Sequence, residues 1–292
     1  MGGLGNQMFQ YAFARNLSLK NNTNLKADLA FLLDRTPREN FVFRDYDLDI
    51  FNLRLDAASE HDFKLFNYQP TSLVDKIYYK TIRTIVSPQK IVEQQFNFNH
   101  TNKITSKNIY LEGYWQTEKY FEENEKIIRN DFTFKNPLSD GENELNKIIQ
   151  SSTSVCVNFR RTDFVTLPNT SQTHGVPSMD YYHFAIKIIS EKVNNPHFFV
   201  FSDDMEWCIN NFKIEYPVTY VTHEFKGNKF SSYLQLMKNC KHFIIPNSTF
   251  AWWAAWLSDN PGKNIVAPKQ WFADKKLQNQ SQDISPSSWI RI

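Results

Sequence analysis

Apolar positions in the second half of the chain fall into short continuous runs, separated by longer segments with helical spacing. Residues 155–159 (VCVNF) form one such run and predict a strand. Residues 180–193 bring Phe184, Ile188 and Ile189 onto one helical face, and Ser178 is positioned to cap that helix. Apolar runs at 198–201, 218–221, 243–245 and 265–267 then alternate with helical segments at 205–212, 231–240 and 249–257. Such β-α alternation with short connections predicts a parallel sheet covered by helices.

The first half is also α/β in character but less regular. Residues 7–19 read as an amphipathic helix with Met8, Phe9, Ala12, Phe13 and Leu17 on one side. A weak strand is expected at 25–27, a helix at 58–66, a strand at 109–111 and a helix at 118–129. Residues 46–51 alternate apolar and acidic side chains, the pattern of a strand with one exposed face. The stretch 135–141 (KNPLSDG) has turn composition and marks a domain boundary, giving domains at 1–137 and 138–292.

Composition narrows the function classes. Aromatic residues reach 15% of the 292, enough for a heavily aromatic core or a sugar-binding cleft. A net charge of +2 argues against bulk nucleic-acid binding and leaves room for one small anionic ligand. Cys156, Cys208 and Cys240 are odd in number and far apart, so neither a disulfide framework nor a zinc ribbon is expected, and a reducing compartment is. No signal peptide is legible. The most apolar stretch, 243–257, is interrupted by Pro246, Asn247, Ser248 and Thr249, which predicts a soluble protein with at most peripheral membrane contact.

A doubly wound sheet binds ligands beyond the carboxyl ends of its strands. Polar groups follow three of the apolar runs: Arg160-Arg161-Thr162-Asp163, Ser202-Asp203-Asp204 and Asn247-Ser248-Thr249. The arginines offer forked donors to phosphate oxygens. Neighbouring side chains diverge on a strand, so one of them is expected to reach a ligand and the other to pair with a carboxylate such as Asp163. Ser248 and Thr249 open a helix, where hydroxyls and N–H groups suit a phosphate, while a plain N-cap is the alternative. Asp203 and Asp204 suit sugar hydroxyls or, equally, the cap of the next helix. Gly2, Gly3 and Gly5 are three of only eight glycines and lead into Asn6 and Gln7. No Gly-Lys-Ser/Thr follows and the third glycine of a dinucleotide fingerprint is missing, so close backbone approach is what they provide. The seven histidines lack metal-ligand spacing, and the single D-x-D triplet, Asp47-Leu48-Asp49, lies in the strand-like alternation.

Six segments together are similar to the alpha-1,2-fucosyltransferases of glycosyltransferase family 11: GGLGNQMFQYAFA at 2–14, LEGYWQTEKYF at 111–121, VNFRRTDFV at 157–165, HGVPSMDYY at 174–182, FVFSDD at 199–204 and CKHFIIPNSTFAWWAAWL at 240–257. The resemblance implies two facing Rossmann-like domains of the GT-B type with parallel sheets, acceptor-side at 1–137 and GDP-sugar-binding at 138–292. It implies inverting transfer of L-fucose from GDP-fucose to the 2-hydroxyl of an acceptor, terminal galactose of a surface glycan, without an obligatory metal or other cofactor. The partners implied are the GDP-sugar and an oligosaccharide or lipid-linked glycan, not nucleic acid. The implied place is the bacterial cytoplasm, at most peripheral at the inner face of the membrane.

By the same resemblance, Arg160 is the first diphosphate contact and Arg161 the second. Asp163, Asp203, Asp204, His242 (toward guanine), Asn247, Ser248, Thr249 and the Phe250 backbone complete the donor site. Gly3, Gly5, Gln7, Asp28, Trp115 and Gln116 fall on the acceptor side, and Asn6 leans toward the reacting centre beside Arg160 and His174. The general base is left among His174, Asp28 and Glu118. Two departures stand out: Asn158 occupies a position that is usually His in the family, and the strand expected before the glycine motif is missing from a chain that begins at Met1-Gly2. A transferase for another nucleotide sugar and a non-catalytic carbohydrate-binding protein are the competing readings.

Overall fold

The computed structural model describes residues 1–38, 42–67, 71–99, 104 and 106–292, without the side chains of residues 67, 163, 166, 168 and 169. Helix α1 (Leu4–Asn21) is longer than its periodicity indicates, and it is enclosed on nearly all sides. Besides its apolar residues it buries Gln7 and Asn16, whose amides are satisfied. Gln7 donates to the carbonyls of Gly2 and Asp45 and accepts from the Asp47 N–H. Asn16 donates to the Tyr120 carbonyl and accepts from Asn124. Satisfied amides let a helix with polar positions lie within a core, so the one-sided reading of α1 is corrected.

The rest of the first half holds β1 (Lys26–Ala27), α2 (Ala30–Leu33), β2 (Asp56–Ala57), α3 (Glu60–Asn67), α4 (Leu73–Val86), β3 (Gln89–Val92), β4 (Ile109–Glu112) and α5 (Glu125–Asp131). Its strands are parallel but form two separate pairs, β1 with β2 and β3 with β4. No strand precedes α1 among the described residues. Residues of β1, β4 and α1 line a cavity of about 850 Å³.

Two further expectations are corrected. Residues 48–50 form a 3-10 turn, not a strand, with Leu48 and Ile50 buried. The segment 118–129 is broken into two 3-10 turns before α5, because Phe121 leaves helical geometry to bury its ring against Phe9 and Trp253.

The second half runs α6 (Asp140–Ser151), β5 (Thr153–Phe159), α7 (Thr162–Thr166), α8 (Pro168–His174), α9 (Met179–Lys192), β6 (Pro196–Ser202), α10 (Met205–Asn211), β7 (Val218–Tyr220), α11 (Ser231–Lys238), β8 (His242–Ile244), α12 (Thr249–Leu257), β9 (Ile265–Ala267), α13 (Lys275–Gln278) and β10 (Ile290–Arg291). Ser178 caps α9 as expected, accepting from the Tyr181 N–H. Six parallel strands lie in the order β10-β9-β8-β5-β6-β7. After β5 the chain builds outward through β6 and β7, then crosses to β8 on the other side. The order therefore reverses between β5 and β8, and a crevice opens at their carboxyl ends.

Two α/β halves with parallel strands thus face one another as the resemblance implies, the first with two strand pairs in place of one sheet. An aromatic core joins them. Phe9 of α1 lies 4.5 Å from Trp252 and 4.9 Å from Trp253 of α12, and the same buried cluster continues into Phe51, Phe121 and Phe132. The three cysteines are buried and free. Among the described residues, no helix is long and apolar enough to cross a membrane.

Candidate functional site

Arg160 and Arg161 leave the carboxyl end of β5 directly at the switch point. Both lie just past the strand, and both meet carboxylates at the end of β6, where only one of them was expected to be paired. Arg160 Nη1 pairs with Asp203, and Arg161 Nε pairs with Asp204 at 3.2 Å. Asp203 is the hub: it also accepts from the Arg161 N–H at 2.9 Å and from the Thr162 hydroxyl. Arg161 is further held with its guanidinium 3.5 Å from the centre of the Trp207 ring. Asp204 spends its second oxygen on the Trp207 N–H, capping α10. Sequence expected Asp163 as a partner for the arginines; its side chain lies outside the described residues. Guanidinium groups whose orientation is fixed in this way can serve an anion that competes with the carboxylates holding them.

The connection from β8 to α12 supplies the facing wall. Asn247 is buried, and its Nδ2 donates to the carbonyls of His174 (2.9 Å), Trp271 (2.9 Å) and Gly175 (3.3 Å). Its Oδ1 has no hydrogen-bond partner among the described residues. Ser248 is the N-cap of α12 but makes no side-chain cap bond, and Gly3 stands in the same position at α1. The two helix starts meet: a methyl group on Gly5 would lie 2.5 Å from the Thr249 carbonyl carbon and 2.6 Å from the Phe250 nitrogen. Trp253 Nε1 donates to the Gly5 carbonyl at 3.0 Å and fixes this approach. Two positive helix ends, each short of a capping side chain, therefore converge beside the arginines.

Not every expected residue belongs there. The ring of His174 stacks on Phe164 at 4.7 Å and packs on Phe272 at 5.4 Å, and the Arg160 guanidinium lies 5.4 Å from the Phe164 ring, so one phenylalanine separates His174 from Arg160. Asn6, next to the Gly5 contact, accepts from Gln116 Nε2 at 2.9 Å; Gln116 Oε1 is buried without a partner among the described residues. Gly3 is open: among the described residues, a methyl group there would have only the Arg44 side chain within 4 Å. Gln7 is committed to its three backbone bonds.

His242 is a correction. It begins β8 and is in register with Val155 near the start of β5, so it occupies the amino edge of the sheet, opposite the crevice. There its Nδ1 accepts from the Asn264 N–H, and burial lowers its pKa. Trp115 packs within the core against Phe13 at 4.8 Å and Tyr120 at 5.5 Å. Asp28 accepts from the Tyr110 hydroxyl at 2.6 Å and the Ala30 N–H at 2.8 Å, beside the first-half cavity. Glu118 accepts from Trp256 Nε1, near the far end of α12 and about 10 Å along that helix from Thr249. Burial raises its pKa. Asn158 donates to the Phe201 carbonyl and ties β5 to β6. In the D-x-D triplet, Asp49 pairs with Lys229 at 2.8 Å across the two halves. Asp47 is half-buried, and its partial removal from water lifts its pKa to about 6.

Several contributors were given no role of their own from the sequence. Thr162 and Trp207 complete the arginine supports. The Tyr181 hydroxyl binds the carbonyls of Ile245 and Val266 and pins the ends of β8 and β9. Only the Asp204–Trp207 spacing, an N-cap followed three residues on, was readable in advance.

The profile described as Glycosyl transferase family 11 matches residues 1–292. An alpha-1,2-colitosyltransferase of Escherichia coli is 34% identical, covering 100% of this chain and 96% of that protein. The O-antigen biosynthesis glycosyltransferase WbnK of Escherichia coli is 31% identical, covering 100% of this chain and 98% of its own length. Mouse galactoside alpha-(1,2)-fucosyltransferase 1 is 26% identical over 51% of this chain and 41% of that protein. Matched by the family profile from end to end, the chain belongs to glycosyl transferase family 11.

Proposed function

We propose that this protein is an inverting glycosyltransferase that moves L-fucose from GDP-fucose to the 2-hydroxyl of an acceptor sugar, terminal galactose of a surface glycan. One observation carries the donor reading: two uncapped helix starts and two carboxylate-braced arginines converge at the carboxyl edge of a switch-point sheet. That set of groups suits a diphosphate. In the reaction, the bond from the sugar C1 to the β-phosphate oxygen breaks as charge grows on GDP. Arg160 and the N–H groups of α1 and α12 stabilise that charge. A new bond forms from C1 to the acceptor oxygen on the opposite face, and the hydroxyl proton passes to a base. His174 is the assigned base, being the one of the three candidates fastened at this edge of the sheet. Asn6 orients the sugar, itself held by the Gln116 amide. No obligatory metal enters the proposal.

The colitosyltransferase similarity supports a second reading, in which the donor carries colitose. Calorimetry with GDP, UDP and GDP-fucose, followed by GDP release from GDP-fucose and GDP-linked colitose with galactoside acceptors, separates the two. GDP binding with turnover of one donor only names the sugar. Failure to bind GDP removes the donor site, and binding without turnover of either donor favours a carbohydrate-binding protein. Arg160→Ala is expected to lose at least about 10²-fold in turnover with an unchanged melting temperature. Full activity in that folded variant contradicts the role given to Arg160.

A further inference from the structure

Helix α4 has no buried residue along its fourteen positions. Leu73, Val74, Ile77, Tyr78 and Ile85 are 76%, 77%, 68%, 53% and 79% exposed. At about 100° per residue these five fall within an arc of about 140°, with Thr81 and Thr84 between them. The half-buried positions Asp75, Tyr79, Ile82, Arg83 and Val86 lie on the other side and face the protein. The apolar arc is therefore turned outward, on the side opposite the packed one. Contiguous apolar surface of this kind marks an interaction site in a water-soluble fold.

The flank of the arc carries charge of one sign. Lys76 and Lys80, one turn apart, join Arg83 in lining a groove of about 360 Å³ with Tyr79 and Thr84. Three cations stand on the helix against the single carboxylate of Asp75. An outward apolar stripe bordered by cations matches a bilayer surface, where side chains enter the boundary of headgroup and acyl chain while lysine and arginine meet lipid phosphates.

We propose that α4 is a membrane-surface helix that seats this protein on an anionic bilayer. Leu73, Val74, Ile77 and Ile85 enter the interface, Tyr78 lies at headgroup level, and Lys76 and Lys80 bind the phosphates. The proposal stands on α4 alone and does not depend on which donor the crevice takes. Seated in this way, the enzyme meets acceptors carried on lipid within a surface layer rather than from bulk solution.

Flotation of the full chain with vesicles tests it. Vesicles of equal parts phosphatidylcholine and phosphatidylglycerol are expected to carry the protein, and vesicles of phosphatidylcholine alone are not. Ile77→Ser/Ile85→Ser and Lys76→Glu/Lys80→Glu are each expected to weaken binding at least about 10-fold, and salt is expected to weaken the wild type. Their melting curves, expected to match the wild type, separate loss of binding from loss of fold. No flotation of the wild-type chain with the anionic vesicles overturns the proposal. So does a concentration-dependent dimer that Ile77→Ser/Ile85→Ser abolishes, because a second copy then covers the face.

Discussion

Gly5→Ala sets two effects of opposite sign against each other. Within a helix, alanine is favoured over glycine by up to about 1 kcal/mol, so an unobstructed site is stabilised by the change. At Gly5 the added methyl meets backbone atoms of another helix, 2.5 Å from Thr249 C and 2.6 Å from Phe250 N. Restoring ordinary contact between such atoms requires a displacement of about 1 Å. Neither helix yields readily, because Trp253 is hydrogen bonded to the Gly5 carbonyl and packed against Phe9. Overpacking of this kind costs about 1–3 kcal/mol, so net destabilisation by about 1–2 kcal/mol is expected. The same displacement moves the start of α1 from that of α12, and a shift of about 1 Å in a positioned group costs about 10²-fold in turnover. Urea unfolding reads the first effect, calorimetry with GDP and a GDP-release assay the second. Gly3→Ala is the internal control: among the described residues its methyl would meet only the Arg44 side chain, at 3.9 Å, and its stability is expected within about 0.5 kcal/mol of the wild type. A Gly5→Ala protein more stable than the wild type, with unchanged GDP affinity, would refute the close helix approach and the diphosphate cradle built on it.

Asn247→Ala removes a side chain that donates to three backbone carbonyls and is expected to destabilise by about 2–3 kcal/mol while weakening GDP binding; retention of both in calorimetry and melting contradicts its clip role. Asp47 titrates near pH 6 in the fold, above its unfolded value near 4. The folded state then holds the proton more tightly, so stability falls as pH rises through this window, and the ionised carboxylate is a burden at neutral pH. After allowance for solvent screening, Asp47→Asn is expected to stabilise by about 1 kcal/mol at pH 7 and by nothing below pH 4. An equal gain at both pH values in thermal melts would place the effect elsewhere. Turnover is expected to survive a chelator such as EDTA, since Arg160, Arg161 and two helix starts carry the charge; a loss restored by magnesium would put a metal on the diphosphate.

The strands and helices of the second half were legible because its strands are buried on both faces by helices and read as unbroken apolar runs. Strand ends then located the arginine, aspartate and asparagine-serine segments without further information. The position of His242 was also present in the chain order: it precedes its apolar run and so belongs to the amino edge. Other features depend on contacts between distant segments. Arg160 and Asp203 are 43 residues apart, and Gly5 and Trp253 are 248 apart; no local pattern reports either pairing. Helix α1 lacks a clear polar face because its amides are answered from residues 45–47, 120 and 124. Alternation at 46–51 imitates a strand, whereas Leu48 and Ile50 reach the core from a tight turn. In the first half, two-residue strands leave almost no periodic signal to read.

The contact at Gly5 also ties the two halves into one folding unit. A glycine pressed against the backbone of the opposite half and latched by an indole lies within a single aromatic cluster to which both halves contribute. Neither half has a complete core without the other: cutting the chain between them would leave tryptophan and phenylalanine rings of α1 and α12 facing water. The halves are therefore expected to unfold in one transition, not as two independent domains.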